Sequence, residues 1–342
     1  MVTGQPHRVG GGQSLPAGSV EPQQLTDLPP SSWRQILWRA AKQFRADDLT
    51  DRAAALTYYG VLAMFPALLV LVSILGLLGP STTQSLMDNL GAIAPGGVRS
   101  FFQNVVDDAQ SRRGAAGLAA AIGLVLAVWS ASGYVSAFTR ASNAIYGIAE
   151  GRPIWKTAPV RLGVTVATLL GLVVGAVIVV VTGSVAEQVG KVFGLGDAAV
   201  RVWDIAKWPV LLLLVTLMLA LLYWACPNVR QPRFRWISPG SALAVVVWLA
   251  ASGGFAVYIA NFASYNKTYG SLAGVIVFLV WLWISNLAVL LGAEFDAEIE
   301  HERAIRGGLP ADAAPFVVPR DTRKLDDEDA ARANATARIR ES

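Results

Sequence analysis

Asn286, Leu290, Glu294 and Glu298 are spaced by four, so they fall on one face of any helix that contains them. They stand at the end of a long apolar run, where a carboxylate is costly unless water or a cation attends it. Two other polar groups occupy comparable places. Arg52 is followed about one and a half turns later by Thr57, Tyr58 and Tyr59, and Ser130, Ser132, Tyr134, Ser136, Arg140, Ser142 and Asn143 extend another apolar run. Arginines, tyrosines and amides that converge with a carboxylate can bind and orient a charged or amphiphilic molecule. The same groups could equally serve as hydrogen-bonding glue between helices, with Glu294 meeting Arg140 or Arg52. Arg52, Tyr58, Tyr59, Arg140, Asn143, Asn286 and Glu294 are therefore the candidates for a cavity or substrate path.

Catalytic chemistry finds little to work with. The only histidines are His7, near the N-terminus, and His301, beyond the last apolar run, so no histidine-built metal site is expected. No phosphate-binding loop of the Gly-x-x-x-x-Gly-Lys-Ser/Thr type occurs, which excludes a standard ATP-driven motor within this chain. Cys226 is the single cysteine, so neither an internal disulfide nor a cysteine-built zinc cluster can form. The pairs Asp47-Asp48 and Asp107-Asp108 read as solvated carboxylates. No catalytic residue, metal or cofactor is expected.

The elements that must position the polar groups are membrane helices. No charged residue or histidine occurs over 53–87, 114–139, 162–186, 208–229, 236–266 or 268–293. Each run exceeds the roughly 20 residues that cross a bilayer core. Only 15% of the 342 residues are Asp, Glu, Lys or Arg, against about 25% in soluble domains. The expected fold is an all-α polytopic bundle of about six spans, near residues 53–78, 115–135, 160–181, 208–226, 237–260 and 271–293. Pro66 should bend the first. The net charge of +4 is small and points to no nucleic-acid partner; the basic residues flank the apolar runs, where membrane lipids are their partners.

Residues 1–30, rich in Gly, Pro and Gln, read as a disordered extension without a signal peptide. The membrane domain is expected over 31–308 and a charged cytoplasmic tail over 309–342. Trp33 to Asp51 forms a basic amphipathic stretch suited either to the membrane surface or to packing on the protein itself. Residues 83–110 and 185–203 have helical spacing of apolar side chains and are expected to cap the outer face. With both termini inside, fourteen Lys and Arg flank the cytoplasmic ends of the spans and seven the opposite ends, which predicts cytoplasmic termini. Gly163, Ala167, Gly171 and Gly175 make one flat helix face, and Gly270 and Gly274 repeat the interval. Such faces allow close helix packing, either within the bundle or between copies in a homo-oligomer.

These residues carry a resemblance to a known family. Arg52-Ala-Ala-Ala-Leu-Thr-Tyr-Tyr59 with Phe65-Pro66 resembles the first-helix signature of the YihY/BrkB family of bacterial inner-membrane proteins. The match continues through Trp129-Ser-Ala-Ser132, Arg140-Ala-Ser-Asn143, Pro227-Asn-Val-Arg230, Pro239-Gly240, Tyr269-Gly-Ser-Leu-Ala-Gly274 and Asn286-Leu-Ala-Val-Leu-Leu-Gly-Ala-Glu294. It covers roughly residues 35–300. The resemblance implies a six-helix protein of the bacterial inner membrane, involved in the movement of envelope lipid or lipopolysaccharide. Some members bear the label "ribonuclease BN", to which the residues of this chain lend no support. Two readings follow: a translocator of lipid-like or amphiphilic envelope molecules that does not use ATP, and a non-transporting scaffold that regulates envelope assembly.

Overall fold

The computed structural model describes residues 29–77, 113–181, 196–230, 237–261 and 271–341, together with Ala186. Residues 1–28 of the extension expected over 1–30, the outer segment 83–110 and Gly270 lie outside them. The described chain forms α1 (Pro30–Ala46), α2 (Leu49–Leu77), α3 (Arg113–Ile145), α4 (Ile154–Val180), α5 (Asp197–Ala225), α6 (Pro239–Asn261), α7 (Ser271–Arg306) and α8 (Asp327–Glu341). This is an all-α polytopic membrane bundle. Helices α3 to α7 are each long and apolar enough to cross a bilayer, and α2, of 29 residues, occupies the place of the first expected span. It remains helical past position 66. Of the second outer segment, the part from Asp197 onward is the first turns of α5.

The helix ends have local causes. Pro30 opens α1, where its missing N–H would have had no partner. Asp48, with φ of 50°, turns the chain sharply into α2. Gly147 (φ 61°) ends α3, as the Ile148 N–H reaches back to the Asn143 carbonyl. Gly308 (φ 97°) ends α7 in the same way, with the Leu309 N–H on the Ala304 carbonyl.

The start of α2, the end of α3, the start of α4, the end of α5, the start of α6 and the second half of α7 meet at one end of the bundle. The packed core sits there: Leu49, Leu56, Phe138, Tyr223, Cys226 and Leu290 are all buried in it. Both the α1–α2 segment and the chain beyond α7 join at this end. Farther along, the spans expose apolar side chains. Only 11–28% of each span's most apolar stretch is buried, and Val125, Trp129, Leu170 and Val257 point outward. Such a surface is stable only against hydrocarbon.

Two segments of the terminal end are more integrated than their composition suggests. Helix α1 lies on α7, burying Ile36 and Ala40 and bonding Arg39 to Glu298 and Glu302 at 2.8 Å each; Leu37 and Trp38 stay exposed on its other side. The segment from 309 is not a loose appendage either. Phe316 and Val317 enter the core, Phe316 stacks on His301 with ring centroids 4.5 Å apart, and Pro319 forms a β-bridge with Val229.

Candidate functional site

The turn between α3 and α4 is built around Arg152. Its Nε donates to Glu150 Oε1 and one Nη to Glu150 Oε2, both at 2.7 Å, while the guanidinium also reaches the Cys226 carbonyl at 2.6 Å. Asn143, at the end of α3, joins this turn to the one after α5. Its Nδ2 donates to Glu150 Oε2 at 3.0 Å, and its Oδ1 accepts the Asn228 N–H at 2.7 Å. Burial alone would raise the Glu150 carboxyl, but the Arg152 hydrogen bonds and charge outweigh it and hold it below the usual carboxylate range.

Against this turn lies a cavity of about 300 Å³, lined by Ser136, Thr139, Arg140 and Asn143 of α3 and by Thr157, Val160 and Arg161 of α4, with Glu150, Arg152 and Cys226 at its base. Three guanidiniums face one carboxylate. Glu150 is spent on Arg152, so Arg140 and Arg161 have no carboxylate partner among the described residues. Among the described residues Arg140 donates to the Ser136 hydroxyl alone (3.1 Å), and it lies 6.0 Å from the Tyr59 ring centroid. Arg161 forms no ion pair among the described residues. Ser132, Ser136 and Arg140 recur every four residues, so a polar seam runs from the cavity along α3 toward exposed Trp129. Two guanidiniums without an ion pair among the described residues suit an anion.

The sequence candidates divide. Arg140 and Asn143 line the cavity, and Tyr59 adjoins it, with its ring packed on Gly133. Exposed Tyr58 stands edge-on to Tyr59 at 5.4 Å. The others lie elsewhere. Asn286 accepts from the Tyr134 hydroxyl at 2.9 Å and donates to Thr57 Oγ1 at 3.1 Å, tying α7 to α3 and α2. Arg52 Nε donates to the Asp47 carbonyl at 2.8 Å. Glu294 is buried and pairs with neither Arg52 nor Arg140, because Arg140 faces the α4 side of α3 instead of α7.

The small-residue faces divide as well. A Cβ on Gly171 would meet Met218 Sδ at 2.6 Å and one on Gly175 would meet Leu214, so this face packs on α5 within the chain. Ala167, on the same face, is half-buried. Gly163 and Gly274 have open space around them. Reasoning from sequence missed Arg152, Glu150 and Arg161 as a group. The signal was present as Glu150-Gly-Arg152-Pro153, an acid and a base two apart in a short turn between spans.

The chain beyond α7 locks the back of this turn. Asn228, fully buried, donates its amide to the Asp321 carbonyl at 2.9 Å and accepts the Asp321 N–H at 3.1 Å. Lys156 Nζ donates to Asp321 Oδ2 at 2.7 Å, and the Lys324 N–H reaches the Gly151 carbonyl at 3.0 Å. The Lys156 hydrogen bond, aided by the Arg323 N–H, holds the Asp321 carboxyl down at about 2. A folded-state value below the usual 3.9 or so stabilises the docked segment above about pH 4, and this support is lost as pH falls toward 2. Pepsin should therefore leave residues 316–341 intact near pH 4 and cut them increasingly toward pH 2, while Asp321→Asn should be cut at similar rates throughout. Equal protection of the two proteins near pH 4 would contradict the clamp.

A comparison with known families decides the membership. The profile of the family described as "Virulence factor BrkB" matches residues 40–315. The chain belongs to the BrkB family. The match takes in α2 to α7 and ends inside the docked segment, before Phe316. Among individual relatives, the chain is 32% identical over 257 residues to a "UPF0761 membrane protein" of Alkalilimnicola ehrlichii, covering 75% of this chain but 56% of that protein. It is 27% identical over 281 residues to a UPF0761 membrane protein of Aeromonas salmonicida, covering 90% of the latter. A third relative, the ribonuclease-like protein YfkH of Bacillus subtilis, is 27% identical over 253 residues, again with 90% of the relative covered. No solved structure matches. This BrkB-family chain is thus an integral, multi-pass membrane protein. Among the described residues no three His, Cys, Asp or Glu side chains are placed to hold a metal ion.

Proposed function

We propose that this BrkB-family protein binds the anionic headgroup of a lipid-like envelope molecule in the α3–α4 cavity and moves it across the bacterial inner membrane without ATP. The cavity opens at the end where α1 and the chain beyond α7 join the bundle, and the excess of basic residues there supports a cytoplasmic side. The observation that carries the reading is the pair Arg140 and Arg161, two guanidiniums lining one cavity with no carboxylate partner among the described residues. The headgroup would seat on them, and the acyl chains would lie along the exposed apolar surface of α3 and α4. A direct test titrates the detergent-purified protein with short-chain phosphatidylglycerol and phosphatidylcholine. The anionic lipid should raise the melting temperature, the zwitterionic one should not, and R140A/R161A should lose the difference. Equal responses to the two lipids would overturn the reading.

The scaffold reading has its own support. Asn286, Thr57 and Tyr134 are spent on one another at the α2–α3–α7 contact, and the docked C-terminal segment offers a folded surface to soluble partners. A protein that binds the anionic lipid without moving it would favour the scaffold.

A further inference from the structure

A second group of charges lies on the face of α7 that the cavity does not use. Glu294 is 1% exposed, and its Oε2 has no hydrogen-bond partner among the described residues. Asp47, at the α1–α2 junction, spends Oδ1 on the Gln43 amide at 3.2 Å, and its Oδ2 is enclosed without a partner in the same way. Asp47 and Glu298 are the charged groups whose fields act on Glu294, and both are acids.

The cations of the surrounding elements are committed elsewhere. Arg39 of α1 holds Glu298 and Glu302, and Lys42 lies over Trp38. Arg34 and Arg45 of α1 are exposed, as is Asp51 of α2. Arg52 of α2 donates to the Asp47 carbonyl, and Arg140 of α3 faces the cavity. Helix α6, packed along α7, contains no charged residue. On α7 itself, Asp296 accepts the Gly240 N–H at 2.7 Å, while His301 Nδ1 lies 3.7 Å from Glu298 Oε2.

An enclosed carboxyl with an unbonded oxygen and no cation paired to it among the described residues cannot be an anion without a large desolvation cost. A divalent metal would need a ligand set that the described residues do not form. The occupant that relieves the cost and needs no further ligand is a proton. We propose that Glu294 is a proton-binding site, separate from the arginine-lined cavity. A site of this kind would give a chain without a nucleotide-binding loop a way to respond to the proton gradient.

The test uses the full-length protein, its glutamates labelled with ¹³C at the side-chain carboxyl, in nanodiscs of phosphatidylethanolamine and phosphatidylglycerol. At neutral pH one glutamate carboxyl should resonate in the protonated position and disappear in E294Q. Should E294Q not fold, E294D removes the glutamate signal while keeping an acid in place. R140A/R161A should retain the signal, so loss of the lipid site and loss of the proton site are read separately. The proposal is overturned if no glutamate is protonated at neutral pH, if the signal survives in E294Q or E294D, or if sodium chloride at constant pH abolishes it, which would assign the site to a metal cation.

Discussion

Gly292→Ala should be among the most damaging single-methyl changes in this protein. Helices α6 and α7 cross with Gly240 and Gly292 face to face. A Cβ on Gly292 would collide with the Gly240 carbonyl oxygen and stand 2.6 Å from the Tyr223 hydroxyl and 2.7 Å from the Ala244 Cβ. None of the three can yield easily. The first is backbone, the second is tied to the Val289 carbonyl, and the third lies within the packed α6. The helices would have to separate, at a cost of about 3 kcal/mol, the upper part of the range for overpacking. Gly253→Ala is the control. Gly253 lies in the same α6, exposed, with nothing within 4 Å, so alanine there should gain roughly 0.5–1 kcal/mol from helix propensity alone. Thermal unfolding in detergent should show a marked drop for the first variant and none for the second. A Gly292→Ala protein that melts with the wild type would mean that the crossing is looser than described.

That glycine pair also marks what was legible in the sequence. Spans announce themselves through absent charge, a signal summed over more than twenty residues, and α2 to α7 lie where the charge-free runs place them. Close approach of two helices is a property of two positions far apart in the chain, and no local pattern reports it. Of the interval Gly163–Ala167–Gly171–Gly175, Gly171 and Gly175 pack on α5 while Gly163 faces open space, and the backbone-to-backbone crossing belongs to Gly240, at the start of its helix, and the isolated Gly292. Their only sequence trace was membership in motifs shared with the family, Pro239-Gly240 and the segment ending at Glu294.

The polar groups show the same division. Periodicity correctly put Asn286 and Glu294 on one face of α7, but periodicity does not say which neighbour that face meets. It meets α1, α2 and Tyr134 of α3, not the α4 side of α3, so Arg140 and Glu294 are kept apart. Arg140 and Asn143 were readable because they extend a span. Arg152 and Glu150 were not, since they act from a turn whose geometry depends on Gly147, Pro153 and the carbonyls after α5. The C-terminal segment was hardest to read. Its composition is that of a solvated tail, and its docking rests on few anchors: Phe316 and Val317 in the core, and Asn228 bonded to Asp321 from both sides.

The second large effect concerns transport. If Arg140 and Arg161 receive an anionic headgroup, reversing both charges should repel it, where alanine only removes the attraction. Each residue is partly solvent-exposed and free of carboxylate partners among the described residues, so R140E/R161E should fold with a melting temperature close to the wild type. Losing two charge-assisted contacts of about 1.5–3 kcal/mol each corresponds to a fall in headgroup affinity of roughly a hundredfold or more. The measurement that decides is translocation of a fluorescent phosphatidylglycerol analogue in proteoliposomes, with a phosphatidylcholine analogue beside it. The wild type should move the anionic analogue faster than protein-free vesicles and faster than the zwitterionic one, and R140E/R161E should fall to the protein-free rate. A charge-reversed variant that folds and moves the anionic analogue at the wild-type rate would contradict the assignment of this cavity as the headgroup site.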